Sequence, residues 1–143
     1  MKRWAAALGP LAVVCLLTAC TGSSSAGTSP TSPGSFNSEA DQVVADLAAG
    51  NFAAVEAKFD PAMMKAAPAA SLQQGWAECQ DAMGRYRSHG APRSDRKGQF
   101  DLEGVPVMWA KGPDTVAISF NPNGTIAGLE PCIVAGGVGE PFQ

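Results

Sequence analysis

Apolar residues recur with the spacing of an amphipathic helix between residues 38 and 49. Ser38 suits the N-cap of this segment, and Gly50 suits its end. The spacing therefore predicts a helix whose apolar stripe packs against a core. The stripe consists of Ala40, Val43, Val44 and Leu47.

Three further helical segments follow before residue 85. Asn51 is the predicted cap of the second helix. Asp60-Pro61 opens the third, because proline suits the first helical position. Ser71 and Gln74 form a capping-box pattern that predicts the start of the fourth helix. The stripe of this last helix consists of Leu72, Trp76, Cys79 and Met83.

From Gln99 onward the hydrophobic period changes to two, which is typical of half-buried strands. Gly104 is a predicted β-bulge, and the segment from Asn121 to Gly124 predicts a tight turn before a last strand. Helices followed by a strand meander predict an α+β fold, with the N-terminal helices packed on a curved antiparallel sheet. The alternating apolar residues are Val105, Val107 and Trp109, then Val116, Ile118 and Phe120.

The first 19 residues have the pattern of a removable export signal. Lys2 and Arg3 precede a mostly apolar run from residue 4 to residue 19, which is shorter than the roughly 20 residues of a stable bilayer span. Leu17-Thr18-Ala19-Cys20 resembles the lipobox of bacterial lipoprotein precursors. The resemblance implies cleavage before Cys20 and attachment of a lipid carrying fatty acids such as palmitate to its sulfur. An ordinary secretory signal with a coincidental cysteine is the alternative.

The chain divides into four parts on this interpretation. A signal peptide occupies residues 1–19, and a lipidated cysteine with a flexible tether occupies residues 20–37. The tether is rich in Ser, Thr, Gly and Pro and carries no charge, so it cannot bury enough surface to offset its ordering entropy. An α+β domain follows over 38–134, and a tail over 135–143. The predicted location is the cell membrane, lipid-anchored and facing the extracytoplasmic side.

The net charge and the cysteine content of the chain limit its possible partners and the cellular compartment in which it folds. Loss of Lys2 and Arg3 leaves eight Lys and Arg against 13 Asp and Glu, a net charge of about −5 that argues against nucleic acid as a partner. Cys79 and Cys132 are the two cysteines of the predicted domain, and in an oxidising compartment they most simply pair. Buried reduced thiols are the alternative. With a single histidine, His89, the ligands are too few for a closed zinc site.

Several segments are similar to a family of small bacterial envelope domains of unknown function with the cystatin-like fold of nuclear transport factor 2. The matching segments are Leu47 to Phe52, Phe59 to Met63, Leu72 to Trp76 with Gly84, and Val116 to Leu129. In that family the domain often precedes a serine hydrolase of the α/β type. Because this chain ends at Gln143, we expect any hydrolase to be another polypeptide.

The resemblance also implies a cone between helices and sheet, open at one end, that can hold a small apolar ligand. Candidate lining residues of this cone are Trp76, Met83, Trp109 and Phe120. Large apolar residues of this kind are core residues more often than ligand contacts, and ordinary core packing is the alternative.

Few polar residues fit catalytic chemistry. His89 has no evident partner and is expected at the surface. Asp101 and Glu103 are expected to face water, because they alternate with Phe100 and Leu102. A basic stretch is a candidate contact for anionic surfaces, and a solvated strand and loop is the alternative. This stretch contains Arg85, Arg87, Arg93, Arg96 and Lys97.

The sequence contains no Gly-x-Ser-x-Gly elbow, phosphate loop or zinc-type His-Glu spacing, so we expect no cofactor and no metal. We predict a non-catalytic binding or scaffolding module that holds a small apolar ligand or an envelope protein. A small cone-fold enzyme of the isomerase or dehydratase type is one alternative, and it requires an acid or a histidine inside the cone. A purely structural partner of an envelope complex is the other.

Overall fold

The structure is a computed structural model that describes residues 36–132. Within these residues, four α-helices precede five strands of one antiparallel sheet, which confirms the predicted α+β fold. The helices are α1 (Asn37–Ala49), α2 (Phe52–Glu56), α3 (Pro61–Ala66) and α4 (Ala69–Met83). The strands are β1 (Tyr86–His89), β2 (Arg93–Lys97), β3 (Phe100–Trp109), β4 (Gly112–Phe120) and β5 (Ile126–Glu130).

The predicted signal peptide, Cys20, the predicted tail and most of the predicted tether lie outside the described residues. The last two residues of the tether, Phe36 and Asn37, are described. The Phe36 ring stacks on that of Phe120 with 4.8 Å between ring centroids, and Asn37 is the first residue of α1. The N-cap of α1 is therefore Phe36 and not Ser38.

Specific residues set the end of α1 and the start of α3. Gly50 ends α1 with φ 79°, and its N–H donates to the carbonyl of Leu47. Such a left-handed residue is a common helix end, and glycine adopts it without a Cβ penalty. α3 begins at Pro61, and the Asp60 carboxylate accepts a 2.7 Å hydrogen bond from the Met63 N–H.

α4 begins earlier than the sequence pattern predicts. Its first residue is Ala69, and Ser71 lies inside the first turn with no capping hydrogen bond at the helix start. Pro68 occupies the cap position in an extended conformation, and it fixes the chain direction without a polar side chain. The predicted capping box at Ser71 and Gln74 is therefore wrong.

β3 is central in the sheet. It pairs with β4 along one side, while β1 and β2 share its other side, and β5 pairs with β4. Gly104 pairs regularly with both Arg93 and Ala117. The predicted bulge at Gly104 is wrong, and the register shifts lie instead in the β1–β3 and β4–β5 pairings.

The helices cover one side of the sheet, which we call the inner face. It carries the alternating apolar residues of β3 and β4, and these join α1, α2 and α4 in a single core. The opposite side, the outer face, carries the intervening residues of the strands. The fully buried residues of the core include Val43, Val44, Leu47, Val55, Val105, Val116, Ile118 and Ile126.

Two links fix the ends of β5. The Nδ2 group of Asn121, at the turn before β5, donates to the Asp60 carboxylate at 2.9 Å. After β5, a disulfide joins Cys132 to Cys79 of α4, with 6.0 Å between the Cα atoms. The last strand is therefore held to α3 at its start and to α4 at its end.

Candidate functional site

Two carboxyl groups lie on the inner face of β3. Glu103 has no solvent exposure and Asp101 is 2% exposed, so the prediction that they face water is wrong. The error follows from the wrong bulge at Gly104. Because β3 keeps its register through Gly104, every second residue from Asp101 to Trp109 points to the same side.

Glu103 is held by a short chain of hydrogen bonds that reaches α1. The Ser94 hydroxyl oxygen lies 2.8 and 3.0 Å from the two Glu103 carboxyl oxygens, and 2.7 Å from the Asn37 Oδ1 atom. One hydroxyl proton cannot serve all three acceptors. The Ser94 O–H donates to the Glu103 carboxyl group, and the Asn37 side-chain amide lies within hydrogen-bond distance of the same hydroxyl oxygen.

Asp101 has a different partner. The Nε and Nη2 groups of Arg96 donate to its Oδ1 atom at 2.9 and 2.7 Å. Arg96 thus pairs with the inner-face carboxyl group of Asp101, while its own side chain stays 37% exposed. A guanidinium compensates a buried carboxylate by charge and by hydrogen bonds.

Burial raises the pKa of the Glu103 carboxyl, and the negative charges of Asp101 and Glu39 raise it further, while the Ser94 hydrogen bond opposes this. A carboxyl whose pKa is higher in the folded than in the unfolded chain stabilises the fold at low pH. That stabilisation is fully present below the unfolded pKa and is lost as pH rises through the folded pKa.

We expect Glu103→Gln to remove this part of the pH dependence, because the amide mimics the protonated acid. Relative to the unchanged protein, the variant should gain stability as pH rises above the ordinary glutamate pKa and through the raised pKa of Glu103, measured by urea unfolding at each pH. Ser94→Ala is the control, and it should destabilise at every pH because it leaves Glu103 and Asn37 without their shared partner. A difference between Glu103→Gln and the unchanged protein that does not vary with pH would contradict the expectation.

His89 lies between α1 and the sheet. Its side chain is 19% exposed, and its Nε2 atom lies 3.1 Å from the Asp41 carboxylate. Since a carboxylate only accepts, Nε2 donates to Asp41, and Nδ1 shares a hydrogen bond with the Tyr86 hydroxyl. Burial raises the pKa of Tyr86, and the charge of Asp41 adds to this effect. His89 is therefore partly buried and has two side-chain partners that the sequence did not show.

The four predicted cone-lining residues lie in or against the core. Trp76, Trp109 and Phe120 are buried, and Met83 packs against them. The Trp76 and Trp109 rings are 5.0 Å apart between centroids. Trp76 also borders a surface groove of about 320 Å³ between α1 and α4.

A larger groove, of about 530 Å³, lies on the outer face. Its walls are mostly apolar, with a charged residue at each side of the sheet. The lining includes Lys97, Phe100, Leu102, Ala117, Leu129 and Glu130. A third groove of about 260 Å³ lies where β1 ends, bordered by His89 and by the exposed Met108. Met83, Trp109 and Phe120 line none of these three grooves.

The remaining basic residues point to solvent. Arg85, Arg87, Arg93 and Lys97 are exposed, and they are divided between β1, β2 and the turn before β1. Arg93 and Lys97 lie on the outer face of β2, with the acidic Asp95 between them on that face.

A family model described as "Protein of unknown function (DUF3887)" matches residues 40–129. The chain belongs to the DUF3887 family. The match covers α1 to β5 almost completely, so this family domain contains Asp101, Glu103 and most of the outer-face groove. Searches of curated proteins and of solved structures found no match.

Two further findings concern the DUF3887 domain as the structure describes it. Within residues 36–132, no three His, Cys, Asp or Glu side chains are grouped so that they could hold a metal ion. None of the helices in that range combines the length and apolar character of a transmembrane helix.

Proposed function

We propose that the protein is a lipoprotein anchored in the cell membrane through Cys20, with its DUF3887 domain on the extracytoplasmic side as a non-catalytic binding or scaffolding module. The observation that carries this proposal is the disulfide between Cys79 and Cys132. Disulfides persist mainly in oxidising, extracytoplasmic compartments. The lipobox-like segment before Cys20 independently supports export.

The outer face supports a binding or scaffolding role. Its groove has a volume of about 530 Å³ and mostly apolar walls, within the roughly 300–1,000 Å³ range of small-molecule sites. The proposed occupants are a small apolar ligand or an envelope protein. Helices packed on one side of an antiparallel sheet are also compatible with the cystatin-like cone of nuclear transport factor 2.

A small cone-fold enzyme is the second candidate, and the burial of Glu103 and Asp101 on the inner face favours it. A catalytic carboxyl must reach its substrate, whereas Glu103 contacts Ser94 and Asp101 contacts Arg96. These contacts favour the non-catalytic role. Native mass spectrometry of the protein purified from its own envelope tests both candidates, since it reports any bound ligand directly.

We expect Cys20→Ala to release the protein from the membrane fraction, because the variant has no sulfur to carry the lipid. Membrane fractionation and metabolic labelling with radioactive palmitate measure the two expected losses. Cys15→Ala is the matched control, since that cysteine lies in the predicted signal peptide and should leave both unchanged. Continued membrane retention and labelling of Cys20→Ala would refute the anchor.

A further inference from the structure

Residues 61–70 have an unusual composition for a protein surface. They comprise α3 and the start of α4, and Lys65 is their only charged residue among alanines, methionines and prolines. Seven of these ten residues are exposed and none is buried. Among the helices of residues 36–132, α3 is the one that has no buried residue. Continuous exposed apolar surface of this kind marks a contact site.

Met64 and Lys65 lie side by side in the middle of this 61–70 segment. Met64 is 41% exposed, whereas its neighbour Met63 packs against the core. Lys65 is exposed and forms no ion pair with another residue of the described part of the chain. An exposed apolar side chain beside such a cation suits the boundary between acyl chains and anionic headgroups of a lipid bilayer.

The 61–70 segment begins at the end of the domain where the chain enters from the predicted tether. The Phe36 ring stacks on the ring of Phe120. The next residue, Asn121, donates to the Asp60 carboxylate at 2.9 Å, and α3 begins directly after it at Pro61. Two side-chain contacts therefore connect the first described residue with the start of the segment.

Chain length limits how far this end of the domain can lie from the lipid. Cys20, the proposed lipidation site, precedes Phe36 by sixteen residues, and a Ser- and Gly-rich chain of that length spans about 20–25 Å on average. The other end of the sheet, at Ala110 after β3, is about 30 Å away along that strand. The anchor therefore brings the 61–70 segment to the membrane more readily than the β3–β4 turn.

We propose that the 61–70 segment is a membrane contact surface, with Met64 among the lipids and Lys65 on anionic headgroups. This proposal rests on the proposed anchor at Cys20, and it adds a preferred orientation of the domain on the membrane. A weak contact is sufficient, because the anchor gives the segment a high effective concentration at the bilayer. A membrane is favoured over a protein partner because the anchor lies at this end and the only charge of the segment is positive.

Fluorescence quenching on vesicles tests this contact. The full-length, lipidated Met64→Cys protein carries an environment-sensitive fluorophore on its new thiol, since Cys79 and Cys132 are paired. The vesicles consist of phosphatidylcholine and phosphatidylglycerol with some nitroxide-labelled lipid. Nitroxides near the top of the acyl chains should quench this label severalfold more strongly than the label of Ala110→Cys. Ala110 is the matched control, because it is exposed in the turn between β3 and β4.

Lys65→Glu, added to Met64→Cys, tests the charge. It should lower the equilibrium constant for membrane contact about fivefold or more, the equivalent of about 1 kcal/mol for one cation near an anionic surface. On vesicles of phosphatidylcholine alone the same change should have little effect. Circular dichroism checks that every variant is folded.

Flotation of the same vesicles separates this proposal from the anchor itself. Protein that does not float with the vesicles refutes both. Protein that floats, with the label at position 64 quenched no more than the label at position 110, refutes the contact and leaves the anchor intact. A label at position 64 that is shielded from aqueous iodide but not quenched by nitroxide-labelled lipid indicates a protein contact and also overturns the proposal, as does unchanged quenching in Lys65→Glu.

Discussion

Replacing Cys79 and Cys132 by serine is expected to lower the free energy of unfolding by about 4 kcal/mol. The disulfide closes a loop with a sequence separation of 53 residues, and the chain-entropy model gives about 4 kcal/mol for a loop of this length. Domains of this size have only about 5–15 kcal/mol of stability in total. The bond therefore supplies a large part of what keeps β5 attached to α4.

Urea unfolding with and without a reducing agent measures this contribution. The reduced unchanged protein and the double serine variant should unfold at nearly the same urea concentration, well below that of the oxidised protein. Alkylation of the denatured, unreduced protein should modify neither Cys79 nor Cys132. Two reactive thiols, or a double variant as stable as the oxidised protein, would rule out the disulfide.

Trp109→Ala is expected to cost about 3–5 kcal/mol, the usual range for truncating a large aromatic residue in a core. Trp109 is 1% exposed. Its ring centroid lies 5.0 Å from that of Trp76 and 6.1 Å from that of Tyr86. Removal of the indole therefore leaves a cavity between α4, β1 and β3 that the surrounding rings cannot fill.

The variant Trp109→Phe separates the contribution of aromatic packing to stability from that of the indole N–H group. The buried indole Nε1–H of Trp109 has no hydrogen-bond partner among residues 36–132, and an unpaired buried donor costs free energy. Phenylalanine keeps an aromatic ring and removes that donor, so it should lose less than half as much stability as alanine. Equal losses of stability for Trp109→Phe and Trp109→Ala, measured by thermal or urea unfolding, would show that the indole N–H donates a stabilising hydrogen bond.

The wrong prediction for Asp101 and Glu103 shows why alternation within one strand is not enough to predict which of its residues are buried. Alternation was clear on both sides of Gly104, but the assumed bulge there reversed the predicted face of the residues before it. A strand's facing depends on its register with its neighbours, and Gly104 is paired on both sides. Continuing the alternation backward from Trp109 without a bulge would have placed both carboxyl groups inside.

His89 illustrates a second limit. Its partner Asp41 lies 48 residues earlier in the chain, on α1. Local spacing placed His89 only in a polar segment after the fourth helix and could not show which helix residue would face it. The Ser94–Asn37 contact, across 57 residues, was beyond local reasoning for the same reason.

The sequence alone determined that the helices precede the sheet, the end of α1 at Gly50, the start of α3 at Asp60-Pro61 and the buried stripe of α4, because these depend on neighbours a few residues away. It did not predict β1 or β2, whose residues are mostly polar. Only the tertiary structure decided that Glu103 lies inside, and that neighbouring strands place Arg93, Gly104, Ala117 and Glu130 in one row across the sheet. Both depend on pairing between strands distant in the chain, and such pairing is fixed by the packing of the whole sheet against its helices.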